Sequence, residues 1–169
     1  MKKYARWFLF LIVLYSLQTS LLPIISYRGI SPDLLLLLIT SFALLEGAKY
    51  GTLMALGAGL LKGLGSGTFF GIDTFSFMII AFFVGRSYNQ VYREAKLLPL
   101  AASVGVTTLH YLIFASFMFM LGFRFSPLEH MQSVLLPMLL YQLVFSYPVH
   151  RLTVKMDAWT RREWSQNGS

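Results

Sequence analysis

Few residues in this 169-residue chain have side chains that could do chemistry, and they lie within or beside long apolar runs. Gln18, Lys62, Asp73, His110 and Gln142 are the polar candidates. Charge placed in an apolar membrane segment costs several kcal/mol unless it reaches the interface or a partner, so each such residue marks a polar contact or a function. Two residues separate Lys62 from the Gly65-Ser66-Gly67 turn, and the preferred reading is that its ammonium snorkels to the interface. The sharper alternative pairs it with Asp73 across that turn. Gln18 and His110 read first as interhelical hydrogen-bonding groups, with a ligand contact and a proton relay as the alternatives. Gln142 is the one strongly polar residue inside the last apolar run.

None of these residues forms a catalytic pattern. The chain has no cysteine, which removes disulfides, thiolate metal sites and a cysteine nucleophile. His110, His130 and His150 stand on different segments, without metal-ligand spacing. Ser66 lacks the glycine two positions before it that an intramembrane serine hydrolase motif would show, and no base accompanies it. Carboxylates do not recur in pairs on one helix, and Lys62 is not in phosphate-loop spacing. The expectation is no catalytic, cofactor or metal residue.

The surrounding elements explain why polar residues are so scarce. The chain is 56% hydrophobic, 12% charged and has a mean hydropathy of +0.64. That composition predicts an integral membrane protein, with one membrane domain over residues 1–164 and a frayed tail at 165–169. The net charge of +7 would suggest nucleic acid for a soluble protein, but here the basic residues flank apolar runs and report topology.

Hydropathy predicts an all-α fold of six transmembrane helices, at about 7–25, 33–47, 49–65, 69–86, 97–121 and 128–150. The first run follows Lys2, Lys3 and Arg6 and lacks a small-residue cleavage site, so it reads as a retained span. Ser31, Pro32 and Asp33 read as the start of the second helix, with Ser31 as cap and Asp33 at its positive end. The second and third helices are short. Two tilted spans are preferred over a re-entrant hairpin. Ser126 and Glu129 match a capping box before the sixth helix, in which Pro137 and Pro148 could introduce kinks. Residues 151–164 read as an interfacial amphipathic helix, with Val149, Leu152, Met156 and Trp159 forming its apolar face.

The most regular feature is a strip of small residues at every fourth position: Ala43, Gly47, Gly51, Ala55, Gly59, Gly63, Gly67 and Gly71. On a helix such a strip drifts only about 40° per step. It leaves a bare groove on which another backbone can lie closely. Gly47, Gly51, Ala55, Gly59, Gly63 and Gly67 are the predicted helix-packing positions, and this helix is expected to be the one onto which the others pack. Its strip is expected to be filled from within the bundle.

Orientation follows from the basic residues. With an inside N-terminus, Lys2, Lys3, Arg6, Lys49, Arg86, Arg93, Lys96, Arg151, Lys155, Arg161 and Arg162 fall inside, and only Arg28, Lys62 and Arg124 fall outside. That bias predicts both termini in the cytoplasm.

Several features in order resemble a known family. Leu17-Gln18-Thr19-Ser20 lies in the first span, and Ser31-Pro32-Asp33-Leu34-Leu35-Leu36 opens the second. Then come Glu46-Gly47-Ala48-Lys49-Tyr50-Gly51, Gly59-Leu60-Leu61-Lys62-Gly63-Leu64 and Gly71-Ile72-Asp73-Thr74. The chain resembles MreD, a bacterial rod shape-determining membrane protein, most closely over residues 10–86. It departs at Lys62, where the family commonly has an acid.

The resemblance implies a non-enzymatic scaffold of the cell-elongation machinery in the inner membrane. It would bind an MreC-like single-span protein and connect cytoplasmic MreB filaments to a SEDS glycosyltransferase and a class B transpeptidase. Nucleic acid and cofactors are not expected, and a homo-oligomer is compatible with it. MreD is also similar in fold to substrate-binding subunits of ECF-type vitamin transporters, which supplies the alternative function. An intramembrane enzyme is the third reading.

Overall fold

The computed structural model describes residues 2–26, 30–66, 71–87, 98–122 and 131–166. The described residues form an all-helical bundle without strands: α1 (Lys2–Ser20), a single-turn α2 (Leu22–Ile25), α3 (Leu34–Glu46), α4 (Ala48–Ser66), α5 (Ile72–Arg86), α6 (Leu98–Met120) and α7 (Leu136–Gln166). A π-helical turn, Met131–Leu135, leads into α7.

Its polarity is that of a membrane protein. Phe83 (61%), Leu140 (66%) and Val144 (70%) are exposed, whereas Ser76, Ser103, Thr107, Gln142 and Thr153 are fully buried. In water this arrangement would be unfavourable. In lipid it places apolar side chains against acyl chains, while Ser103, Gln142 and Thr153 hydrogen-bond to backbone carbonyls inside the bundle. Among the described residues, three helical stretches are long and apolar enough to cross a membrane: Ala5–Ile24, Pro99–Met120 and Ser133–Arg161.

The hub is α3. Its sequence, LLLLLITSFALLE, is apolar on every side, and a helix of that kind is stable only when surrounded. Every residue from Leu34 to Ala43 is buried, and α1, α4, α5, α6 and α7 all pack against it. This corrects the expectation that the glycine-rich helix is central. Small residues bring one neighbour very close, whereas only bulky apolar side chains all round can fill contacts to five helices. On α1, Trp7 stacks edge-on to Phe42 of α3 at 4.5 Å.

The small-residue strip serves three elements rather than one helix. Gly47 ends α3 with φ +87°, a conformation that favours glycine, and its N–H donates to the Ala43 carbonyl at 2.9 Å. It is the sole residue between α3 and α4, so the chain reverses within one peptide. Gly71, at φ +106°, likewise precedes α5. Between them the strip is a packing surface. A Cβ on Gly59 would stand 2.3 Å from Thr74 Cα, and one on Gly51 would stand 2.7 Å from Ala43 Cβ. Gly85 of α5 returns the contact, its absent Cβ falling 2.4 Å from Ala48 Cα. Ala55 and Gly63 are buried with them, and Gly67 lies outside the described residues.

Two further expectations change. The cap of α3 is Asp33, not Ser31, because Asp33 has extended backbone and its carboxylate accepts from Leu36 N at 3.2 Å. Residues 151–164 are not a separate helix. No turn residue interrupts them, and α7 continues through Pro148 to Gln166, about 46 Å in all. The face of this extension that turns inward is Val149, Thr153, Asp157 and Thr160, while Leu152 and Trp159 are half exposed. Pro137 is the second residue of α7 and follows directly on the π-helical turn Met131–Leu135. Ser126 and Glu129 lie outside the described residues.

Candidate functional site

The helix geometry brings four charged or titratable side chains from four helices to one place. Asp33 stands at the start of α3, Lys62 near the end of α4 and Asp73 at the start of α5. Because α4 runs antiparallel to its two neighbours, these three helix ends meet on one side of the bundle. Each charge also suits its helix end: carboxylates sit at positive N-termini and the ammonium sits toward a negative C-terminus.

Lys62 Nζ lies between the two acids, 2.6 Å from Asp33 Oδ2 and 3.0 Å from Asp73 Oδ1. The ring of Phe77 lies beneath the ammonium, its centroid 5.0 Å away. His110, from the middle of α6, brings Nε2 to 3.6 Å from Asp73 Oδ1 and packs its ring on Phe77 at 5.5 Å. The side chains are largely removed from solvent: 5% exposure for Asp33, 19% for Lys62, 16% for Asp73 and 8% for His110. Lys62 therefore does not snorkel. Two carboxylates lie within reach of its stem, and a charge-assisted hydrogen bond to each is stronger than one to a neutral acceptor.

Two amides complete the cluster. Gln18, from α1, accepts from Leu35 N at 3.1 Å and directs its amide toward Asp33 Oδ1 at 3.4 Å. Gln142, from α7, directs its amide to the Asp33 carbonyl at 3.4 Å. The physical need is clear. The first N–H groups of any helix lack intrahelical partners, and in lipid no water replaces them. Asp33 satisfies Leu36 and Gln18 satisfies Leu35. All five polar candidates read from the sequence, with Asp33, thus converge on one site.

Sequence reasoning missed a second cluster at the opposite end of α3. Arg161 donates from Nε to both Asp157 oxygens, at 3.1 and 2.9 Å, and from Nη2 to Glu46 Oε1 at 2.9 Å. Beside it, the Arg6 guanidinium lies 4.5 Å over the Trp159 ring. These contacts tie the extension of α7 to α3 and α1. The available signal was the i, i+4 spacing of Asp157 and Arg161, but nothing local points to Glu46.

Chemically, the Lys62 cluster is a lock. Its carboxylates are occupied by the ammonium, and Asp33 also accepts from the Leu36 N–H. The described residues also contain no group of three or more His, Cys, Asp or Glu arranged to hold a metal ion. No curated protein and no solved structure matches this chain. A family model described as rod shape-determining protein MreD matches residues 1–154. The chain belongs to the MreD family. That membership, with helices apolar enough to cross a membrane, makes it a membrane protein involved in determining rod shape. MreD proteins are shape-determining, structural proteins, not known as enzymes. For this MreD-family chain the match covers the Lys62 cluster entirely and stops short of Asp157 and Arg161.

Proposed function

We propose that this chain is a scaffold in the cell-elongation machinery of the bacterial inner membrane. On this reading it binds an MreC-like single-span protein. Through that partner it links cytoplasmic MreB filaments to a SEDS glycosyltransferase and a class B transpeptidase. The observation that carries the reading is the self-satisfied Asp33–Lys62–Asp73 cluster. The interior charges bind each other across three helices, so they hold the bundle in shape and leave recognition to its apolar exterior. Six spans forming a single membrane domain are part of the same proposal.

Co-purification from a mild detergent tests it. A single-span protein with a periplasmic domain is expected to accompany the full chain in stoichiometric amount. Its consistent absence, with the chain folded, would refute the scaffold reading.

Orientation is tested separately. Supporting a shared side, the Arg6–Trp159 and Arg161–Glu46 contacts join the start of α1 to α7 and the last turns of α7 to the end of α3, next to Lys49. Clustering of basic residues on one side supports a cytoplasmic assignment. A reporter fused after Ser169 is expected to give a cytoplasmic signal, and a periplasmic signal would reverse the assignment.

A further inference from the structure

Beside the Lys62 cluster, four buried polar atoms have no hydrogen-bond partner among the described residues. They are Thr107 Oγ1 and His110 Nδ1 on α6, and Gln142 Oε1 and Ser146 Oγ on α7. Thr107 and Gln142 are fully enclosed, and Ser146 is 2% exposed. Buried polar groups are nearly always bonded, so four at one contact between helices require a cause.

Helix direction places them together. Phe75 of α5 meets Phe117 of α6, and Phe77 meets His110, so α6 runs antiparallel to α5. Gln142 of α7 reaches the start of α3 and Arg161 reaches its end, so α7 runs parallel to α3. α6 and α7 are therefore antiparallel, and they pack on each other and on α3. Thr107 lies one turn beyond His110, and Ser146 one turn beyond Gln142. Both turns lead away from Asp33 and Asp73. α3 has no free group to offer at that depth. Leu34 to Ile39 is wholly apolar, and the Thr40 hydroxyl donates to the Leu36 carbonyl at 2.7 Å.

The two hydroxyls also leave a simpler solution unused. Thr40, Thr108, Ser116 and Thr153 each donate to the carbonyl four residues back, at 2.7–2.8 Å. Thr107 and Ser146 do not. On His110, Nε2 faces the Asp73 carboxylate, which places the proton of a neutral ring there and leaves Nδ1 an acceptor. Gln142 Oε1 is an acceptor too, because its amide nitrogen is directed to the Asp33 carbonyl. Two acceptors cannot bond each other. They need a small molecule that donates twice and can accept from hydroxyls.

We propose that these four groups hold ordered water between α6 and α7, next to the Lys62 cluster. Water donates to His110 Nδ1 and Gln142 Oε1 and accepts from the Thr107 and Ser146 hydroxyls. A buried water needs two to four polar partners, which this set supplies. The bridge joins α6 to α7 and fixes the His110 tautomer that faces Asp73. The site stands whether or not the scaffold reading holds.

X-ray radiolytic footprinting of the full chain in detergent tests the proposal, because bound water generates hydroxyl radicals in place. Phe42 of α3, 5% exposed, is the reference. After correction for ring reactivity, His110 is expected to oxidise several times faster than Phe42. In the Thr107→Val/Ser146→Ala double variant it is expected to fall to the Phe42 rate. Thermal unfolding supplies an independent sign. Thr107→Val conserves volume, and loss of a bonded hydroxyl is expected to lower the unfolding temperature by about 2–4 °C. Removing an unbonded hydroxyl would leave that temperature unchanged or raise it. Ser146→Ala is expected to be less harmful in the Thr107→Val background than in the wild type, because both hydroxyls serve one site. His110 oxidation no faster than that of Phe42, a Thr107→Val protein as stable as the wild type, or additive effects of the two substitutions would each overturn the proposal.

Discussion

Replacing Lys62 with methionine is expected to destabilise the protein by about 3–5 kcal/mol, the cost of removing one member of a buried ion cluster. Methionine keeps the length and apolar stem of lysine and can still pack on Phe77, so the volume of the site is nearly conserved. What is lost is the only lysine between two carboxylates, Asp33 and Asp73, that lie 2.6 and 3.0 Å from its ammonium. Those carboxylates would then face each other with a weaker partner in His110, whose Nε2 is 3.6 Å from Asp73 Oδ1.

Rescue distinguishes this cause from a packing defect. Adding Asp73→Asn to Lys62→Met removes one stranded charge and is expected to recover a large part of the loss. Alone, Asp73→Asn should be milder, because Lys62 keeps Asp33. Thermal unfolding in detergent with a tertiary-structure readout measures all three. A Lys62→Met protein as stable as the wild type, or a double variant no better than Lys62→Met, would show that the cluster is not the lock described above.

Gly59→Leu is expected to cost about 3 kcal/mol, at the upper end of overpacking effects, and to separate α4 from α5. The reason is local. The first added carbon would fall 2.3 Å from the Cα of Thr74, which is backbone and cannot swing aside. Even Gly59→Ala is expected to be destabilising. This reverses the usual order of helix propensity, in which alanine exceeds glycine by about 0.8–1.0 kcal/mol. Gly57→Leu is the internal control, on the same helix but with open space at its Cβ, and it should unfold near the wild-type temperature. If both leucine variants unfold alike, close approach at Gly59 is not what holds the two helices.

Lys62 is the cation that Asp33 and Asp73 require. A further acid there would place three carboxylates in one buried site, which like-charge repulsion would oppose. The sign at this position is therefore set by its neighbours on α3 and α5, not by α4.

Much of the fold was legible because the signals are local. Hydropathy over windows of about 20 residues marks helices in lipid, since unsatisfied backbone cannot remain there. The four-residue recurrence of small residues marked a close contact for α4, and Pro32-Asp33 marked a helix start. The five polar candidates stand out by their cost in lipid alone.

Tertiary structure decided what depends on distant pairing. Lys62 and Asp33 are 29 residues apart, and Glu46 and Arg161 are 115 apart, separations at which sequence spacing carries no geometric information. That α3 rather than α4 is the hub could not be read from α3 itself, because an apolar run looks the same facing lipid or facing five helices. The extension of α7 turned its polar residues inward for the same reason: amphipathicity names two faces, and only the neighbours, Glu46 above all, determine which one is covered. Sequence alone thus determined that the chain is a helical membrane protein with a few polar residues that are costly to place in lipid. The packing determined that the charges among them neutralise one another and join helix ends into one site.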